Sequence, residues 1–114
     1  MLRTLELLNK SKIIESYKIL DFKYGKNFYF LKIKAKIIDK SELYIREYVS
    51  EKEFLYSYHW QDEKGNLRIR WDNAPHYKNL KTYPHHKHIS TNILESEETN
   101  IEDIIKFIEK KLKS

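Results

Sequence analysis

Residues 28–38, FYFLKIKAKII, form the clearest strand pattern in the chain. Apolar side chains alternate there with basic ones, namely Leu31, Ile33, Ala35 and Ile37 with Lys32, Lys34 and Lys36. Successive side chains of a β-strand point to opposite faces, so this strand buries one face and exposes the other. The lysines most simply form a solvated face, with contacts to phosphate groups as the alternative. The fold must therefore include a sheet with one apolar and one polar face.

Residues 42–49, ELYIREYV, are predicted to return alongside this strand after a turn at residues 39–41. A two-residue turn would place Arg46 opposite Ile33. A three-residue turn would instead place Glu47 opposite Ile33, inside the apolar face. Because one residue of slip moves every side chain to the other face, the two turns differ in whether Glu47 is buried. The sequence leaves both alternatives open.

Residues 54–61 and 67–72, FLYSYHWQ and LRIRWD, are predicted to form a second hairpin around residues 62–66. One face carries an aromatic and β-branched ladder, with Trp60 opposite Ile69 and Tyr58 opposite Trp71. These rings are expected in the core. The other face carries polar pairs, which are Ser57 with Asp72, His59 with Arg70, and Gln61 with Arg68. This hairpin therefore has one apolar face and one face of hydrogen-bonding side chains.

Shorter patterns flank the two hairpins. The spacing of Leu2, Leu5 and Leu8 predicts a helix over residues 2–10, and the β-branched and aromatic content of residues 13–24 predicts a strand. Residues 76–84 are expected to form a loop. Residues 85–90 are predicted to form a last short strand, which would direct His86 and His88 to one face and His85 and Lys87 to the other.

Residues 91–100 are interpreted as an acidic linker. A capping box of Thr99 and Glu102 then predicts the start of a helix over residues 100–113. The whole chain, residues 1–114, is thus predicted to be one α+β domain. It has an antiparallel sheet of five or six strands in hairpin order, a C-terminal helix packed on one face, and a short N-terminal helix.

Composition limits the functional classes. The absence of cysteine excludes disulfides and zinc–thiolate sites. No apolar run reaches the roughly 18 residues needed to span a membrane, and we expect a cytoplasmic protein without a membrane partner. Residues 1–50 contain 11 Lys and Arg against 6 Asp and Glu, which favours an acidic partner such as nucleic acid. A generally lysine-rich surface is the alternative, and the oligomeric state is left open.

All five histidines, both tryptophans and both prolines lie between residues 56 and 88. His76, His85, His86 and His88 could bind a divalent metal through their imidazole nitrogens, with Asp72 as the nearest carboxylate. The alternative is that these histidines hydrogen-bond to loop carbonyls and pack on neighbouring tyrosines. A divalent metal is therefore a candidate cofactor.

Three motifs resemble the TumE-like proteins: REY at residues 46–48, just before this region, and within it the block from Tyr56 to His76 and PHHKH at residues 84–88. TumE-like proteins are small toxins of bacterial and archaeal toxin–antitoxin modules. The resemblance implies a growth-inhibiting protein that is held by a cognate antitoxin, with RNA cleavage as the commonly supposed activity.

Metal-independent RNA cleavage needs a base for the 2′-hydroxyl proton, an acid for the leaving 5′-oxygen and a cation for the charge on phosphorus. Histidine suits the proton transfers and arginine suits the charge. The candidate catalytic residues are His59, Arg70, Asp72, His86, His88, Arg46 and, if it is buried, Glu47. His59 and one of His86 or His88 would transfer protons. The alternative is that the charged residues form ordinary surface ion pairs.

A second group of residues would contact RNA outside the reacting centre: Arg68, Tyr48, Tyr77, Tyr83 and Lys87. The tyrosines among them lie in polar or loop surroundings, where a ring can stack on an unpaired base. A function of another class also fits the sequence. In that alternative the protein is a non-catalytic binding protein whose histidine-rich loop holds a divalent metal or organises a protein interface.

Overall fold

The structure is a computed structural model that describes residues 2–114, without the Leu2 side chain. The predicted apolar position of Leu2 therefore lies outside the described residues. Two helices flank a run of strands, in the order α1 (Leu2–Lys10), β1 (Ile14–Tyr24), β2 (Phe28–Ile37), β3 (Glu42–Ser50), β4 (Phe54–Gln61), β5 (Leu67–Asp72), β6 (His86–Ile89), β7 (Asn92–Glu95) and α2 (Ile101–Lys113).

The strands form one antiparallel sheet in which each strand pairs with its neighbours in sequence. This confirms the predicted α+β fold with hairpin order and two terminal helices. The sheet has seven strands rather than five or six. The additional strand is β7, which lies in the predicted acidic linker. That interpretation was wrong because β6 would otherwise leave its outer edge unpaired, and β7 pairs along it from Asn92 to Glu95.

The β2–β3 hairpin has a register that differs from both predicted ones. Ile33 lies opposite Ile45, and Glu47 lies opposite Leu31. The loop has three residues, but it spans residues 38–40 because the backbone N–H of Ile37 donates to the carbonyl of Ser41. Glu47 is therefore on the apolar face, as the three-residue alternative required, although with a different partner.

The β4–β5 hairpin confirms the predicted aromatic ladder and two of the three polar pairs, Ser57 with Asp72 and His59 with Arg70. The predicted pairing of Gln61 with Arg68 is wrong, because the register shifts after Trp60 and Gln61 lies opposite Leu67. The Arg68 guanidinium instead donates to Asp39 Oδ2 at 2.9 Å.

The core lies between the apolar face of the sheet and the two helices. Tyr58, Trp60 and Trp71 are buried there as predicted, together with the isoleucine stripe of α2. The predicted capping box is wrong, since Asn100 rather than Thr99 caps α2. Its backbone is extended and its side chain accepts a hydrogen bond from the backbone N–H of Asp103. No helix in the described part of the chain is long and apolar enough to cross a membrane.

Glu47 is a buried carboxylate in this core, with 3% of its surface exposed. The Thr4 hydroxyl donates to Oε1 and the Tyr58 hydroxyl donates to Oε2, both at 2.6 Å. Burial and the Glu47 carboxylate raise the pKa of Tyr58 well above its ordinary value. The three side chains therefore tie α1 to strands β3 and β4 from below the sheet.

Candidate active site

The face of the sheet opposite the helices, called the open face below, carries polar side chains from strands β1 to β6. Antiparallel pairing sets residues from adjacent strands directly opposite one another. Two rows of side chains therefore cross six strands. One row is Asp21, Lys32, Arg46, Ser57, Asp72 and His86. The next row is Lys18, Lys34, Tyr44, His59, Arg70 and His88.

A pocket of about 640 Å³ opens where these rows meet the loop between β5 and β6. The strands supply its floor and the loop supplies one wall. The lining residues are Phe30, Arg46, Tyr48, Leu55, Tyr56, Ser57, Arg70, Asp72, Asn73, Ala74, Pro75, His76, Tyr77, His86 and His88. The pocket therefore brings two arginines, three histidines and a carboxylate together with aromatic rings.

Asp72 is the centre of the polar contacts in this pocket. Its Oδ1 accepts a hydrogen bond from the backbone N–H of Ala74 at 3.0 Å and lies 2.9 Å from Nε2 of His86. Its Oδ2 lies 3.4 Å from Nε of Arg70 and 3.6 Å from Nε2 of His88. The carboxylate is thus held rigidly, and it orients both imidazoles and one guanidinium.

His86 is almost completely buried, with 1% of its surface exposed. Its Nδ1 lies 3.0 Å from the carbonyl oxygen of Pro84. A carbonyl can only accept, so Nδ1 carries a hydrogen. The other ring nitrogen, Nε2, contacts Asp72 Oδ1 at 2.9 Å. The Asp72–His86 pair is therefore a buried, closely contacting pair next to the pocket.

His88 is the more accessible imidazole, with 26% of its side chain exposed. Burial lowers the pKa of His88 below its ordinary value of 6.5, and the neighbouring His86 and Arg70 lower it further, while Asp72 opposes the shift. His88 is consequently neutral at pH 7 and able to accept a proton. The ring of Tyr77 packs edge-on against it, with ring centroids 6.1 Å apart, and closer still against His86.

Three of the pocket groups could together hold a metal. Ligand atoms of Asp72, His86 and His88 all lie within 4.8 Å of one another. The hydrogen bond from His86 Nδ1 to a carbonyl is the kind of contact that orients a metal-ligating histidine. Arg70 also contacts the same carboxylate, and a bound cation would have to displace or tolerate that guanidinium. The predicted ligands His76 and His85 are not part of this group.

The comparison with family models matches residues 4–112 to the family described as Toxin TumE. The chain belongs to the TumE toxin family. It is therefore the toxin of a toxin–antitoxin module, and the family implies a cognate antitoxin as its partner, as the resemblance in the sequence indicated. The comparison with curated proteins found no match, and neither did the comparison with solved structures.

Several predicted site residues of this TumE toxin lie outside the pocket. His59 shares the open face and lies opposite Arg70, but it does not line the pocket. Its Nε2 lies 3.0 Å from Gln61 Oε1, and burial followed by the charge of Arg70 lowers its pKa. Glu47 lies on the opposite, helix-covered face, because the register places it among apolar neighbours. The geometry therefore separates Glu47 from any chemistry in the pocket.

The other predicted contacts are also divided between the two faces. Lys87 points to the helix side, where its Nζ lies 3.1 Å from Glu98 Oε1. His85 contacts the Tyr56 hydroxyl through Nδ1 at 2.8 Å. Arg68 is held by Asp39, and the half-exposed Tyr83 lies in the β5–β6 loop away from the pocket lining. Tyr48 and Tyr77 do line the pocket.

Some lining residues of the TumE toxin were given no role by the sequence argument. Phe30 is the clearest, because Arg46 lies over its ring with the guanidinium carbon 5.2 Å from the centroid. Phe28 and Phe30 occupy the same face of β2 as the lysines. Aromatic residues that interrupt the polar half of an alternating strand are the signal that could have identified this part of the site.

Proposed function

We propose that this toxin cleaves RNA in the open-face pocket by acid–base chemistry without a metal. The observation that carries the proposal is the convergence of Arg46, Arg70 and His88 on one solvent-accessible pocket. Arg46 and Asp72 flank Ser57 from either side in one row, and Arg70 lies in the next row. A phosphate above Ser57 would have the Arg46 guanidinium beside it on β3. On β5 it would have the Arg70 guanidinium, which already contacts the Asp72 carboxylate, and two such cations stabilise charge on phosphorus.

His88 is the proposed base for the 2′-hydroxyl proton. Asp72 Oδ2 lies near Nε2 of His88, and this contact favours the tautomer that keeps a hydrogen on Nε2. Nδ1 is then the nitrogen that accepts the proton. The 2′-oxygen attacks phosphorus, the bond to the 5′-oxygen breaks, and a 2′,3′-cyclic phosphate forms.

The leaving 5′-oxygen requires a proton from a second group. His76 lines the pocket and is exposed to solvent, whereas His59 adjoins Arg70 outside the pocket. We therefore assign the donor role to His76, with His59 as the sequence-based alternative. The Asp72–His86 pair is proposed to position His88 rather than to touch RNA, because its members are buried beneath the pocket.

Incubation of the purified toxin with end-labelled RNA, with and without EDTA, tests this function. We expect cleavage that is unchanged by EDTA and that yields 2′,3′-cyclic phosphate ends. Arg46→Ala should slow cleavage by about 10²–10³-fold, as expected for removal of one transition-state donor. Lys110→Ala on α2 is the matched control, since it removes an exposed cation from the helix-covered side.

Two results would count against the proposal. Cleavage that disappears with EDTA and returns with Zn²⁺ or Mn²⁺ would assign Asp72, His86 and His88 to a metal instead. The second result is that no RNA is cleaved and the Arg46→Ala chain is as toxic to cells as the parent chain. The toxic activity would then not depend on the pocket.

The pH dependence of cleavage provides a separate prediction. The base is active when His88 is neutral, so the acidic side of the pH profile should rise with pH through a midpoint below 6.5. The Arg70 cation disfavours a protonated His88, so Arg70→Gln should raise the pKa of His88 and move this midpoint to higher pH. The midpoint is read from this rising side of the profile, with the rates of each chain taken relative to its own maximum. An unchanged midpoint in Arg70→Gln would contradict the assignment of His88 as the base.

A further inference from the structure

A second groove extends from the pocket across β3 and β2 towards β1. It has a volume of about 390 Å³ and is lined by Asp21, Lys23, Phe28, Phe30, Lys32, Arg46 and Tyr48. Phe30, Arg46 and Tyr48 also line the pocket, so the two depressions are continuous. From β1 to β6 the open face spans five strand spacings, or about 24 Å. This distance exceeds what a single nucleotide at the reacting centre needs.

Two unneutralised cations lie side by side in this groove. Lys32 and Arg46 are directly opposite each other on β2 and β3, and both are exposed. Neither makes a salt bridge with any residue in the described range 2–114. Like charges in direct cross-strand contact destabilise a sheet. A bound phosphate group between them would remove this repulsion.

The nearest carboxylate does not supply that neutralisation. Asp21 lies opposite Lys32 on the other side. Its Oδ2 is instead 3.6 Å from Nζ of Lys23 on its own strand. The β1 end of the groove is therefore close to neutral, and the positive charge is concentrated at Lys32 and Arg46, next to the pocket.

Aromatic rings occupy the remaining floor of the groove. Phe28 stacks on Tyr48 with ring centroids 6.0 Å apart, and 41% of Phe28 remains exposed. Phe30 lies beneath the Arg46 guanidinium and within 6.0 Å of Lys23 Nζ. Cationic grooves that contain exposed aromatic rings are typical of sites where unpaired bases stack while phosphates contact the cations. A duplex keeps its bases stacked on one another and would leave these rings unused.

We propose that this β1–β3 groove binds the single-stranded RNA that flanks the cleaved phosphate, with bases on Phe28 and Tyr48 and a phosphate between Lys32 and Arg46. The proposal rests on the proposed function for the identity of the ligand and adds the class of substrate. The toxin would then select unpaired RNA over duplex RNA through stacking, and would do so with little dependence on sequence.

Fluorescence anisotropy with a short, labelled, unstructured RNA tests the groove separately from the chemistry. The titrations use the His88→Ala chain, so that the probe is not consumed. We expect tighter binding of this RNA than of the same sequence in a duplex. Phe28→Ala should weaken single-strand binding by about 5- to 150-fold, the loss of one base stack. Lys32→Ala should lower the slope of log Kd against log salt by about 0.7, the loss of one phosphate contact.

Matched controls come from the other side of the protein. Phe54 is a similarly exposed aromatic residue, at 37%, on the helix-covered face, and Lys110 is an exposed lysine on α2. Phe54→Ala and Lys110→Ala should leave both the affinity and the salt slope unchanged. Phe28 is partly exposed and lies outside the buried core, so its replacement is not expected to impair folding, and thermal unfolding of each variant verifies this.

The outcomes separate the groove from the proposed function. If the parent chain cleaves RNA, and if Phe28→Ala and Lys32→Ala in the His88→Ala background bind RNA as tightly as His88→Ala alone, the groove proposal is overturned and the function stands. If the parent chain does not cleave RNA but both variants lose single-strand binding, the groove proposal stands and the chemistry is wrong. Equal affinity for duplex and single-stranded RNA would also overturn the groove proposal. The groove proposal would also be overturned if the Phe28→Ala and Lys32→Ala variants weakened binding of the cognate antitoxin but not of RNA.

Discussion

His88→Ala is expected to reduce the rate of RNA cleavage by about 10²–10⁴-fold, the usual contribution of a positioned general base. The expectation follows from the accessibility of this imidazole, its lowered pKa and its contact with Asp72. Single-turnover cleavage of labelled RNA at pH 7 measures the effect. Because the pocket is open to solvent, added imidazole should partly restore the rate of the His88→Ala chain. A purely structural role for His88 would not give such rescue.

His59→Ala is the matched control for this prediction. His59 lies on the same face, on the other side of Arg70, but outside the pocket lining. The His59→Ala chain should retain most of the RNA-cleaving activity if His76 donates the second proton. A loss as large as that of His88→Ala would restore His59 to the role that the sequence suggested. Unchanged cleavage by the His88→Ala chain would remove His88 from the chemistry altogether.

Glu47→Ala is expected to lower the free energy of unfolding by about 2–4 kcal/mol. The substitution leaves the buried hydroxyls of Thr4 and Tyr58 without their acceptor, and each such loss costs roughly 1–3 kcal/mol. Urea denaturation followed by tryptophan fluorescence measures the change. Glu53→Ala removes an exposed carboxylate from the β3–β4 turn and should change stability by no more than about 0.5 kcal/mol.

Glu47→Gln distinguishes the structural role of this residue from a catalytic one. The amide keeps the size of the side chain and one acceptor oxygen, so the loss of stability should be smaller than in Glu47→Ala. The folded Glu47→Gln chain should cleave RNA at the parent rate, because the residue lies on the far side of the sheet from the pocket. A stable but inactive Glu47→Gln chain would contradict this separation.

Local patterns in the sequence were sufficient to predict most of the fold. Alternation and turn residues identified the β2–β3 and β4–β5 hairpins, and the period of the isoleucines identified α2. The exact partners of Glu47 could not be predicted, because they depend on whether the loop closes at Ser41 or at Glu42. Strand β7 was missed because its four residues are all exposed and show no alternation in burial. It exists only as a partner for β6.

The candidate site was predictable where strand pairing alone brings residues together. Pairing of β4 with β5 was enough to place His59, Arg70 and Asp72 on one face. The position of β6 beside β5 added His86 and His88, and PHHKH was already distinguished by its composition. The wall formed by the β5–β6 loop was not predictable, since its path depends on tertiary contacts such as that of Tyr77 with His86. For this reason the sequence indicated His59 for proton transfer and His76 only as a candidate metal ligand.

The strands pair in the order in which they leave the ribosome. Each strand can join the sheet as soon as it is synthesised, and such short-range pairing favours rapid folding for a β-rich protein. The pocket assembles later than the first strands of the sheet. Asp72 meets His86 only when β6 has joined β5, so a nascent toxin carries no assembled pocket until residues 86–89 have left the ribosome.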